Sequence, residues 1–420
     1  MSTPVPRFTI RTRMTARDTE EAHRGASPLE ALFDLTFVVA VAQVADQLAN
    51  GIEASQALQT IVPFCMVFYA IWWAWINFTW FASAYDTDDI PYRLFALLQM
   101  AGVLVLAAGV PGAFQLHNFF GITLGYFIMR IGLVAGWIRA AVENPAGRRT
   151  AIRYAVGVTI VQLGWLARLL FPADAADTWW TVYLPFVVLV VLEFLVPYLA
   201  ERTGMTTWHP HHIAERYGLF TIILLGETIA VLAAGIGDIV SAGERIVQLV
   251  IVGASALVLI FGLWWSYFLQ PTGAGLAANR RGAFFWGYGH YFVFAALGAL
   301  GAGLEVILKL AVGKVALSAE LAGYAIAVPV AIYLVALLIT HLRILPGIIV
   351  HVRVIVPAAV IVLFLPIATG VLGLITIVAL ISLVVALVVA ITMARGRRMH
   401  GPGLSSGQKL PNRRRASDDF

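Results

Sequence analysis

The sequence predicts an all-α polytopic membrane protein of about 12 transmembrane helices, arranged as two parallel six-helix repeats. Three observations carry this. Hydrophobic residues make up 60% of the 420 positions and charged residues only 12%, against about 25% charged in soluble domains. Twelve stretches are long and apolar enough to meet the roughly 20 residues a bilayer crossing requires. Finally, Lys and Arg alternate in density from one inter-helix segment to the next.

The spans centre on residues 32–50, 57–80, 94–113, 119–140, 151–171 and 179–199, then 213–237, 246–269, 283–308, 319–340, 352–369 and 371–394. The breaks near Pro172 and between the last two spans are the weakest, because Gly and Pro interrupt apolar runs without always ending a membrane helix. With the N-terminus cytoplasmic, 23 Lys and Arg fall on the cytoplasmic side, Arg216 among them, and 4 on the other, leaving Arg130 inside the membrane. That asymmetry predicts a cell-membrane protein with both termini cytoplasmic and an even number of spans. No short apolar region with a small-residue cleavage site precedes the first span, so no cleaved signal peptide is expected. The expected organisation is a basic N-terminal tail at 1–26, repeats at 27–200 and 201–395, and a disordered basic tail at 396–420. Both tails have too little apolar surface to fold alone.

The repeat is read from ordered matches. Thr36 to Gln43 aligns with Thr221 to Thr228, Ile71 to Trp75 with Gly262 to Tyr267, Gln99 with His290, and Arg153 with Arg353. Equivalent positions lie six helices apart, an even number, so the halves share one orientation and their pseudo-two-fold axis runs along the membrane normal.

Acids inside apolar helices need a partner, a proton or water, and mark candidate sites. In the first helix Glu30 and Asp34 are four residues apart and stack on one face, with Gln43, Asp46 and Gln47 further along. Ser27, Pro28 and Glu30 also read as a capping box with Pro at the first helical position. In the seventh span, His211, His212 and Glu215 read either as part of a divalent-metal group or as a solvated interfacial cluster, with Glu215 pairing locally with Arg216. Glu227 lies three turns deeper. Arg130 is the expected counter-charge for Asp34, and His290 and Arg130 the expected partners of Glu227. Asp86, Asp88 and Asp89 read as a solvated turn before Pro91, and Cys65 as a passive core residue. The tryptophans Trp72, Trp73, Trp75, Trp80, Trp264 and Trp265 read as belt or packing residues. The glycines from Gly298 to Gly303 suit close helix packing. No phosphate loop, nucleophile elbow or His-Glu-x-x-His pair is present, so no enzymatic activity, cofactor or metal is expected.

Three stretches, Ser27 to Ala40, Tyr85 to Asp89 and His212 to Ile229, resemble the bacterial low temperature requirement protein A family, over about residues 25–395. The resemblance implies a multi-pass membrane protein linked by name to growth in the cold. The function expected is a transporter or channel moving protons, cations or a small solute. Asp34, Glu227, Arg130, His290, Glu30, Glu215 and His212 are its candidate binding residues. The alternative is a non-transporting membrane sensor or a structural protein of stress adaptation. Expected partners are the lipid bilayer, a small ion or solute and a second copy of the chain, with no nucleic acid.

Overall fold

The computed structural model describes residues 10–19, 21, 24–170, 179–242, 246–311, 313–344 and 352–399. The described residues form an all-helical bundle. Its elements are α1 (Pro28–Glu53), α2 (Ala57–Tyr85), α3 (Ile90–Gln115), α4 (Phe120–Glu143), α5 (Arg148–Arg168) and α6 (Trp179–Glu201), then α7 (Pro210–Ala242), α8 (Ile246–Phe268), the short α9 (Thr272–Ala278), α10 (Ala283–Ala311), α11 (Ala319–Leu342), α12 (Val352–Phe364), α13 (Thr369–Leu372) and α14 (Leu374–Met399). Counting α8 with α9 and α12 with α13 as single spans, 12 helical segments are long and apolar enough to cross a membrane. The last two spans part at Gly373, whose φ of 77° suits a residue without a Cβ. Pro172, Arg245 and the basic run from Lys409 to Arg415 lie outside the described residues. Below, the near face is the one at which α1 begins, and the far face the one at which it ends.

Within residues 28–201, α1 packs on α2 and α3, α3 on α4, α4 on α5 and α5 on α6. Within 210–399, α7 packs on α8 and α10, α10 on α11 and α11 on α12. The two sets meet through α1 against α7 and α10, and through α2 against α7 and α10. The α3–α4 contact is a glycine seam. A Cβ added to Gly109 would lie 2.6 Å from the Gly121 backbone, and one added to Gly102 would lie 2.7 Å from the Gly125 carbonyl oxygen. Such close approach replaces side-chain burial with backbone-to-backbone van der Waals contact, the main source of helix cohesion where lipid is as apolar as the protein. In α10, Gly303 does the same against the Ala325 carbonyl of α11, while Gly298 makes room for the Val41 side chain of α1.

The described residues before α1, 10–19, 21 and 24–27, form a strap on the near face, because their polar backbone and arginines find acceptors there. Met14 is fully buried, and its N–H donates to Glu143 Oε2 at 2.6 Å. The Thr12 N–H donates to Asp89 Oδ2 at 2.8 Å, and Arg11 pairs with Glu143 at 2.7 Å. Arg24 is buried and donates to the Ser83 carbonyl and, at 2.7 Å, to the Ala82 carbonyl. These carbonyls belong to the last turn of α2, where a cation also meets the negative end of the helix dipole.

The reading of Asp86, Asp88 and Asp89 as a solvated turn holds only for Asp88, which is exposed and paired with Arg93 at 2.9 Å. Asp89 is fully buried. It caps α3 by accepting from the Tyr92 N–H at 3.1 Å, and it accepts two bonds from Arg139, at 2.8 and 2.6 Å. The tryptophans divide between both expected roles: Trp72, Trp73 and Trp75 are interior, and Trp264 and Trp265 face outward.

Two outcomes follow from this packing. Gly125→Val places a branched side chain against the Leu106 backbone, whose Cα lies 2.7 Å from where a Cβ would stand. It is expected to destabilise by about 1–3 kcal/mol or more, read as a lowered thermal midpoint in detergent. Asp86 is pushed up to about 6, from an ordinary 3.8, by burial and then by the nearby Glu30 charge, against the pull of Arg24 and Arg17. The folded state therefore holds this proton more tightly than the unfolded chain, and stability falls as pH rises through that interval. Asp86→Asn is expected to remove on the order of 1–3 kcal/mol of that decline, measured as the difference in unfolding free energy between pH 4 and pH 7.5.

Candidate functional site

The polar centre of the molecule lies where α1 crosses α7. Ser27 caps α1 with a full capping box, and the Ser27 N–H donates to Glu30 Oε2 at 2.8 Å. That bond turns Glu30 back toward the near face. Asp34 stands one turn on, on the same side of α1. On α7, His212 and Arg216 are likewise four residues apart. The two stacked pairs face each other: Arg216 Nη1 lies 2.9 Å from Glu30 Oε1. Arg216 also donates from Nε to Asp34 Oδ2 at 3.1 Å and from Nη2 to Oδ1 at 2.5 Å. His212 Nε2 lies 3.1 Å from Glu30. From α2, the Trp75 indole N–H donates to Asp34 Oδ1 at 2.7 Å.

Glu30, Asp34, His212 and Arg216 are all 0% exposed. Fork-to-carboxylate geometry of this kind is the strongest pairing available to a buried arginine. Two carboxylates facing one guanidinium leave one negative charge to be balanced, and a proton shared with His212 or a carboxyl group is the local means of doing so.

Toward the far face an aromatic layer closes over this network. Phe37 and Phe220 are fully buried. Trp75 stacks on Phe220 at 4.5 Å, and Phe220 meets Phe294 edge-on at 5.0 Å.

Beyond that layer, at the far end of the same α1–α7 crossing, the helices part around a cavity of about 330 Å³ lined by Gln43, Asp46, Glu227, Glu305, Lys309 and Lys314, among others. Lys309 is held by Glu53 at 2.8 Å and by Glu305 at 2.9 Å. Asp46 accepts from the Asn50 side chain at 3.3 Å. Glu227 is half-buried and lies eleven residues beyond Arg216, about 16 Å along the helix at 1.5 Å per residue.

The predicted residues are therefore distributed over five places. Asp34, Glu30 and His212 are brought together, and Glu227 lines the cavity. The predicted convergence of Asp34, Arg130, Glu227 and His290 does not occur. Arg130 belongs to a separate centre inside the first six helices, where it pairs with Glu193 of α6 at 3.2 Å. Glu193 also accepts from Tyr126 at 2.6 Å, Trp73 at 2.8 Å and Trp165 at 3.2 Å, and Arg130 donates to the Tyr126 hydroxyl. That carboxylate, not Asp34 or Glu227, neutralises Arg130, because α4 and α6 belong to the same half and their side chains meet there.

His290 is a neutral interior histidine. Its Nδ1–H donates to the Trp286 carbonyl at 2.7 Å, and its Nε2 accepts from Tyr267 at 3.1 Å. Both nitrogens are satisfied, so neither is left for Glu227. Glu215 is exposed and does not pair with Arg216, which points into the bundle instead. His212 does not join a solvated cluster with His211 and Glu215, since Glu30 draws it inside. No group of three or more His, Cys, Asp or Glu able to hold a metal occurs among the described residues.

Sequence reasoning missed Arg216 and Glu193 as site residues. Arg216 looks like a topology charge beside Glu215, although its spacing of four from His212 matches that of Glu30 and Asp34. Glu193 interrupts an otherwise apolar run, Val190 to Val196, and that is the signal that marks it.

The chain is 28% identical over 213 residues to the uncharacterized protein RA0937 of Rhizobium meliloti (strain 1021), a match covering 49% of each chain. The match thus spans about half the length of that curated relative. No solved structure matches. Residues 25–394 match the family described as bacterial low temperature requirement A protein (LtrA), so nearly the whole bundle, with both helices of the α1–α7 crossing, places the chain in that family.

Proposed function

We propose that this protein is a transporter of the cell membrane that moves protons or small cations along the α1–α7 crossing, with both termini cytoplasmic. One observation carries the reading. The crossing is sealed at its near end by Arg216 between Glu30 and Asp34, yet opens at its far end into a cavity of about 330 Å³ that exposes Glu227, Asp46 and Glu305. A path closed on one side and open on the other is what an outward-facing carrier requires.

The reading takes the chain as two copies of a six-helix unit, and the order of neighbouring helices supports this. The neighbour pairs α1–α3, α3–α4 and α4–α5 have counterparts in α7–α10, α10–α11 and α11–α12. In that scheme α1 and α7 are equivalent helices, and the path runs between them. Intramembrane acids lining a water-filled cavity serve as ion or proton sites. Glu227 is the innermost acid of the far-face cavity, which Asp46 and Glu305 also line, and the Glu30–Asp34–His212 group is the last before the near face. The reading assigns the protein no enzymatic activity.

A non-transporting sensor or scaffold is the second reading. It draws on the Arg130–Glu193 centre, where a buried acid is fully satisfied by its neighbours and holds helices together.

Purified protein reconstituted in liposomes decides between them. Proton-, sodium- or potassium-linked flux is expected, and its absence across that panel favours the sensor. Glu227→Gln is expected to lower flux at least ten-fold while shifting stability by no more than about 0.5 kcal/mol, because the side chain is only half-buried. Arg216→Ala leaves two carboxylates without their cation and is expected to lose about 3–5 kcal/mol of stability, read by thermal or denaturant unfolding.

A further inference from the structure

We propose that the N-terminal strap is a latch that holds the near-face gate shut. The proposal rests on the transport reading above and names how its gate is controlled. The strap enters α1 at Ser27, three residues before Glu30, so the end of α1 that bears the gate is also the end to which the strap is joined.

On one side the strap is fastened to the first six helices. The Arg17 N–H donates to the Ala84 carbonyl at 3.2 Å, the Met14 N–H donates to Glu143 at 2.6 Å, and the Arg13 Nε–H donates to the Glu143 carbonyl at 2.9 Å. Arg24 holds the last carbonyls of α2 and lies 3.8 Å from Asp86. On the other side it reaches the start of α7, where the Glu21 carbonyl lies 3.0 Å from His209 Nε2. The His209 N–H in turn donates to Ser83 Oγ at 3.0 Å. The strap thus bridges the seam between the halves next to the Glu30–Arg216 contact.

Opening the gate requires the near ends of α1 and α7 to separate. That movement must break the Arg216 pairs and also carry the strap off Ser83 and Glu143 or off His209. Most of the strap's bonds are charge-assisted or accept at backbone carbonyls, with Arg11 mostly exposed. None of them belongs to the hydrogen-bond ladder inside a helix, so breaking them leaves the helices beneath folded.

Leu224 falls on the α7 stripe of Arg216, Phe220 and Glu227, between gate and cavity, and is buried. With Cys65→Ser to remove the native thiol, Leu224→Cys reports access. The measurement is the rate at which a membrane-impermeant maleimide modifies it from the near face in sealed vesicles. Deleting residues 1–19 is expected to raise that rate at least ten-fold. The triple variant R11A/R13A/R17A, which leaves the bundle helices untouched, is expected to raise it several-fold, and it decides the matter if the deletion fails to fold. Arg216→Ala serves as the gate control. A fast rate in Arg216→Ala with an unchanged rate in the strap variants overturns the latch and leaves the gate standing. An unchanged rate in Arg216→Ala as well overturns the gate, and the latch with it.

Discussion

Everything at the centre of this bundle depends on one guanidinium. Arg216 stands in an interior without access to water, where an unpaired cation would cost several kcal/mol even after relaxation. Its position is tolerable only because Glu30 and Asp34 approach from the facing helix in the same register, and because Trp75 donates to the carboxylate that Arg216 grips most closely. The spacing of four on both helices does the geometric work: each pair lies on one face, so a single crossing brings four side chains together. The capping box then fixes Glu30 from behind. One side chain ends the strap, starts the helix and closes the seam.

The two halves spend their polar residues differently. The first contains a complete second centre, in which four donors, Arg130 among them, surround Glu193, whose carboxylate neutralises Arg130. Among its described residues, the second joins its own helices through neutral polar groups. His290 and His341 donate to carbonyls one turn back and meet the hydroxyls of Tyr267 and Thr272. No ion pair is needed where a neutral ring is satisfied by its own helix and one neighbour. Among the described residues, the first half thus carries a fully buried ion pair of its own, and the crossing of α1 with α7 joins it to a half whose internal polar contacts are neutral or part-exposed.

Helix number, span positions and the capping box were all legible in the sequence, because each rests on local composition or on spacing within a few residues. The pairing of charges was not. Arg130 could be recognised as needing an acid, but which acid depends on α4 and α6 sharing a half, and no spacing encodes that. Arg216 was hidden by its neighbours: beside His211 and Glu215, at the start of a span, it has the surroundings of an interfacial charge. The helix turns it 100° away from Glu215 and into the seam. Asp89 was misread for a related reason. Acids in a loop are usually solvated, and only the fold brings Arg139 and the Thr12 N–H to this one.

The glycine seam between α3 and α4 bears on temperature. Cohesion that comes from expelling water weakens on cooling, because its driving force near room temperature is entropic. Where Gly102, Gly109, Gly121 and Gly125 let two backbones touch inside lipid, no water is displaced. The attraction is dispersion between atoms already in contact. It carries little heat-capacity change, so this part of the bundle keeps its grip as the surroundings become colder, and any loosening on cooling falls on the parts of the molecule that face water.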